Sequence, residues 1–130
     1  MDCLRRKMPV LAATAIALFI VSLPVLAHHG TAAFETGKMV TVKGTITDFQ
    51  YLNPHAQVYF EAKNEKGEME KWQGELTAPN KLNRAGWTKN TLKPGDSVTI
   101  SGYGTKTGVH TIWIRELIGP TGEKLPLFEE

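Results

Sequence analysis

Apolar and polar residues alternate with period two through most of the chain beyond residue 38. Val40, Val42 and Ile46 share one parity against Thr41, Lys43, Thr45 and Thr47, which predicts a strand with one buried face. Gly44 interrupts the inward row, as expected where a strand coils or bulges, and the apolar parity then moves to Phe49 and Tyr51. Asn53-Pro54 breaks the pattern and turns the chain. Ala56, Val58, Phe60 and Ala62 form a second inward row, Asn64-Glu65-Lys66-Gly67 reads as a hairpin connection, and Trp72, Gly74 and Leu76 return in one parity. A short helix is expected next, with Thr77 as its cap, Pro79 in its first turn, Leu82 and Ala85 as its apolar edge and Gly86 as its end. Lys93-Pro94-Gly95-Asp96 has the residues of a type II turn. Val98, Ile100 and Gly102 then set a fourth strand, and Ile112, Ile114 and Ile118 a fifth. The strands are expected near 39–51, 56–63, 68–76, 97–103 and 111–118, followed by a loosely held tail over 119–130. Five strands with one helix between the third and fourth is the element order of an OB-fold-like barrel. A β-sandwich would usually need about seven strands.

The first 27 residues do not share this pattern. A basic start (Arg5, Arg6, Lys7) precedes an apolar run and then Ser22-Leu23-Pro24-Val25-Leu26-Ala27, which reads as a signal peptide cleaved after Ala27. The run is short for a span of about 20 residues, and Pro24 follows it, so removal is expected rather than anchoring. Export then directs the protein to the periplasm, with membrane contact only during translocation. Cleavage would leave His28 as the new terminus, with its α-amine, pKa about 7.7 to 8.0, beside its own imidazole. Those two nitrogens can chelate one metal ion, His29 adds a second imidazole at once, and such ligands suit copper, nickel and zinc. Residues 28–38 form a lead-in to a single domain over 39–118.

Charge narrows the class of partner. The chain has 15 basic and 13 acidic residues, but Arg5, Arg6, Lys7 and Asp2 lie in the leader, so the remainder is formally neutral. A balanced surface argues against nucleic acid, whose binding rests largely on cations that neutralise phosphates. The single cysteine, Cys3, also lies in the leader, which removes both disulfides and thiolate ligands from the mature part. No nucleophile set or phosphate loop emerges, so the chain reads as a binding protein rather than an enzyme.

Ala27-His28-His29, the strand over 40–44, Asn53-Pro54-His55, Trp72, Glu75, Pro79, Leu82, Arg84, Gly86-Trp87, Leu92, Gly95-Asp96, Val98 and Gly102 together resemble a family of small secreted bacterial proteins of unassigned function, the domain of unknown function numbered 6152. Gly30 and Asn83 depart from its usual residues. The resemblance implies an exported one-domain β protein and brings no activity with it. It also pairs an amino-terminal His-His with a histidine after Asn-Pro, which adds His55 to the candidate ligands His28 and His29. A terminal amine with two or three imidazoles is the nitrogen-rich set that Cu(II) prefers.

Around these ligands, Glu75 is a candidate acceptor that would fix a histidine tautomer. Arg84 is expected to pair with a carboxylate such as Asp96, and Trp87 to pack over the barrel opening. Tyr51, Tyr59, Trp72 and Trp113 could together form an aromatic platform on an open barrel face, and His110 is expected at the edge of the core or in solvent. The leading expectation is therefore a periplasmic Cu(II)-binding protein. Its rival is a metal-independent module that presents the barrel face to a sugar, a peptide or an envelope protein.

Overall fold

The structure is a computed structural model and describes residues 31–127. The expected signal peptide, His28 and His29 lie outside the described residues. After a short turn at Thr31–Ala33, the elements are β1 (Phe34–Gln50), β2 (Gln57–Lys63), β3 (Met69–Glu75), α1 (Pro79–Arg84), β4 (Ser97–Thr105) and β5 (Thr111–Ile118). The strands close into one sheet in the order β1-β2-β3-β5-β4. With a helix between β3 and β4, this is an OB-like arrangement.

β1 closes the sheet because one strand serves two partners. Residues 39–45 pair with β4 and residues 45–50 with β2, and Thr45 pairs on both sides. The change of partner falls just after Gly44, where a Cβ would lie 2.6 Å from the Glu61 carbonyl oxygen and 2.7 Å from Phe60 Cδ2. Only a residue without a side chain lets the backbones approach so closely. The parity change lies further on. The register slips between Ile46 and Asp48, so Thr47 is the extra residue of a bulge that turns Phe49 inward.

β5 has a similar device that the alternation did not reveal. Gly102 pairs with Ile114 but Ser101 with Glu116, which leaves Arg115 as the extra residue. The inward row therefore runs Ile112, Ile114, Leu117, and the expected Ile118 is only half-buried. Val58, Phe60, Ile100, Ile112 and Leu117 make the centre of the core, each at most 1% exposed. Burying a side chain of this size contributes about 1.5 to 3 kcal/mol.

α1 covers one end of the sheet through Leu82, which is fully buried. Its N-cap is Ala78, with extended backbone and no side-chain cap bond, rather than the expected Thr77. Pro79 fits the first turn because its missing N–H is one that the helix would leave unpaired. The other end follows the expectation: Gly86 has φ +88°, and Trp87 N–H donates to the Leu82 carbonyl at 3.1 Å. Gly95, with φ +94°, and the bond from Asp96 N–H to the Lys93 carbonyl at 3.1 Å likewise form the type II turn.

The segment after β5 is docked rather than loose. Leu125 N–H donates to the Leu117 carbonyl at 2.9 Å, Ile118 bridges to Lys124, and Leu125 and Leu127 pack on the core. Among the described residues no helix is long and apolar enough to cross a membrane.

Candidate functional site

His55 follows the cis Asn53–Pro54 peptide and precedes Ala56, the buried residue just ahead of β2. The β2/β3 ladder continues one step past both strands, where Leu76 N–H donates to the Ala56 carbonyl at 2.9 Å and Ala56 N–H to the Thr77 carbonyl at 3.2 Å. Glu75 itself is opposite Gln57, so those bonds hold residue 55 diagonally across from it at one end of the sheet. There Glu75 Oε1 contacts His55 Nδ1, with the two side chains 27% and 47% exposed. An ionised carboxylate only accepts, so the proton of a neutral His55 ring sits on Nδ1. Nε2 then holds the lone pair, which is the ligand form of imidazole.

Glu75 pairs with Trp113 in the parallel β3/β5 register. The Trp113 ring lies 6.0 Å from that of Phe34 and 5.8 Å from that of Tyr103, and the Arg115 guanidinium lies 5.1 Å from its centroid. The start of β1 is thus seated beside the strand that flanks Glu75. The alternation pointed to neither Phe34 nor Arg115, because the pairing of Phe34 with Thr105 is out of register with that of Met39 with Tyr103.

The other candidates do not join His55. Tyr51 is tied to α1: its phenol lies 2.7 Å from Asn83 Oδ1 and 3.0 Å from the Pro79 carbonyl, and burial pushes its pKa up. Trp87 is 2% exposed and donates its indole N–H to the Pro126 carbonyl. Arg84 is exposed and does not pair with Asp96, whose carboxylate accepts the Lys93 backbone N–H at 2.9 Å instead.

The aromatic residues do not gather into one platform either. Trp72 is stacked between Phe60, at 6.1 Å, and His110, at 4.6 Å, while Tyr51 faces the helix. His110 Nε2 also lies 3.5 Å from Glu70 Oε2, a contact that sequence reasoning missed because Glu70 lies on an edge where alternation says little. Among the described residues, no three His, Cys, Asp or Glu side chains gather as a metal site.

No curated protein matches the chain. Among solved structures, it resembles the ZRD-deleted mutant of TiaS in complex with agmatine, at 20% identity over 64% of this chain and a TM-score of 0.39. It spans only 21% of that protein. It also resembles the small single-stranded DNA-binding protein from Streptomyces coelicolor, at 14% identity over 62% of this chain and 88% of the other, with a TM-score of 0.40. A family model matches residues 16–113, and the chain belongs to that family, the Family of unknown function (DUF6152).

Proposed function

We propose that this chain is an exported periplasmic protein that binds a transition metal, with Cu(II) favoured, through His55 and an amino terminus freed by cleavage after Ala27. It holds or delivers the ion and carries out no turnover. The observation that carries this reading is the contact of Glu75 with His55 Nδ1. A carboxylate on the far nitrogen of a ligating histidine fixes its tautomer and raises its basicity. Reach supports the rest. Phe34 lies beside Trp113, the neighbour of Glu75, and it is six residue steps from His28, a span of up to about 20 Å. The His28 amine and imidazole, with His29 beside them, can therefore complete a nitrogen set suited to Cu(II).

The test is Cu(II) titration by calorimetry and electron paramagnetic resonance. It compares protein that begins at His28, the same protein with one residue added ahead of it, and the His55→Ala variant. The added residue moves the free amine away from the imidazole, so affinity is expected to fall at least about tenfold, a loss of about 1.4 kcal/mol. His55→Ala should weaken binding by a similar factor. Equal affinity in all three proteins overturns the proposal.

A further inference from the structure

We infer that the outer face of β1, β2 and β3 is a binding site for a neutral oligosaccharide, which meets the metal reading only at Glu75. The registers that build the sheet set this face. Asp48 pairs with Tyr59 and Gln50 with Gln57, while on the other side of β2 Tyr59 pairs with Gln73 and Gln57 with Glu75. All six lie on the side opposite the inward row of Val58 and Phe60. None is fully buried.

The chemistry of the face selects the ligand. Its amides are already oriented: Gln73 Nε2 donates to Gln57 Oε1 at 2.9 Å, and Gln50 Nε2 to Asp48 Oδ2 at 3.1 Å. This leaves the Gln57 amide as a donor, Gln73 Oε1 as an acceptor, and the Tyr59 hydroxyl, which makes no bond to the described residues, as either. Sugar hydroxyls both donate and accept, so a row of mixed donors and acceptors matches them. The Tyr59 ring offers an apolar surface to the C–H face of a pyranose.

Cations are scarce here. The paired positions carry Asp48 and Glu75 but no lysine or arginine; the flanking cations are Lys71, opposite Glu61, and Arg115, over the Trp113 ring. A polyanion would meet carboxylates at the centre of the face, which weighs against nucleic acid there. A neutral, hydroxyl-rich chain meets no such repulsion. Trp113, on the strand beyond Glu75, adds a second aromatic ring at the margin of the face, with the Arg115 guanidinium over one side of it. Two strand spacings of about 4.8 Å separate its strand from that of Tyr59, enough for about two sugar units.

The experiment uses the mature protein in EDTA, so that its outcome is independent of metal. Cellohexaose and chitohexaose are titrated while backbone amide shifts are followed by nuclear magnetic resonance. The expected result is shifts centred on residues 48–50, 57–59 and 73–75 with at least one of the two sugars. Tyr59→Ala and Gln73→Ala should each weaken that binding about fivefold, the equivalent of one hydrogen bond. Lys43→Ala, on the β4 side of β1, should leave it unchanged. Tyr59→Ala should also retain full Cu(II) affinity, which separates failure of this site from failure of the metal site. Absence of shifts with both sugars, or shifts centred elsewhere, overturns the inference.

Discussion

The indole N–H of Trp87 donates to the carbonyl of Pro126 at 2.8 Å, which ties the end of α1 to the segment after β5. Trp87 also packs at 6.0 Å from Phe49, the residue that the β1 bulge turns inward. The two contacts join the helix, the first strand and the tail.

Trp87→Phe keeps an aromatic ring but leaves the Pro126 carbonyl without its donor and removes part of a buried side chain. A loss of about 1 to 3 kcal/mol is expected, read as a lower urea midpoint with an unchanged slope. A midpoint equal to that of the parent would mean that the tail contributes little to stability.

Gly102→Ala should be more severe, since its Cβ would lie 2.0 Å from the Trp113 carbonyl oxygen. That contact is with backbone in the adjoining β5 strand, which cannot swing aside as a flexible side chain can. A destabilisation of about 3 kcal/mol is expected. Gly104→Ala is the control on the same strand, because its Cβ would meet only Val40 Cγ2 at an ordinary 3.8 Å. Similar midpoints for the two variants in thermal denaturation would contradict this account.

The strands were legible because each has one buried face, and alternation reports burial directly. Arg115 was not, because nothing in a charged residue marks it as the extra member of a bulge; the pairing of Gly102 with Ile114 sets that register. The docking of the tail is hidden for a related reason. Its turn-forming residues are visible locally, but the Trp87 donor that fixes it lies 39 positions away. At the candidate site, the placing of Glu75 near His55 follows from the β2/β3 hairpin and the break at Asn53-Pro54, both of which the sequence displays. The scatter of the aromatic residues does not follow in this way. Trp72 joins the core stack and Tyr51 the helix because of which neighbours their strands acquire, which is a tertiary matter.

Tyr51 gives a prediction at alkaline pH. Burial raises its pKa above the ordinary 10.0, so the folded chain holds the phenol proton more tightly than the unfolded chain does. Its contribution to stability is complete below about pH 10 and falls as the pH rises through the folded value. Tyr51→Phe removes this dependence and costs about 1 kcal/mol at neutral pH through the lost hydrogen bond. Urea denaturation of both proteins from pH 8 to 11 should show their stabilities converging as the pH rises. A constant difference would refute the assignment.

Glu75→Gln tests how the tautomer of His55 is set. In the parent, the carboxylate can only accept, so a neutral ring keeps its proton on Nδ1 and presents the Nε2 lone pair. An amide in the same place can donate from Nε2 to His55 Nδ1, which would move the ring proton to the nitrogen that a metal requires. Cu(II) affinity is therefore expected to fall about 10- to 100-fold, while Glu70→Gln, beside His110, should leave it unchanged. Since ligand nitrogens bind only when deprotonated, affinity in every variant should also decline as the pH falls. Nitrogen-15 spectra of metal-free protein with labelled histidine read the tautomer directly, and the parent should show the His55 proton on Nδ1. A proton on Nε2 in the parent, or equal Cu(II) affinity in Glu75→Gln, would remove Glu75 from any part in metal binding.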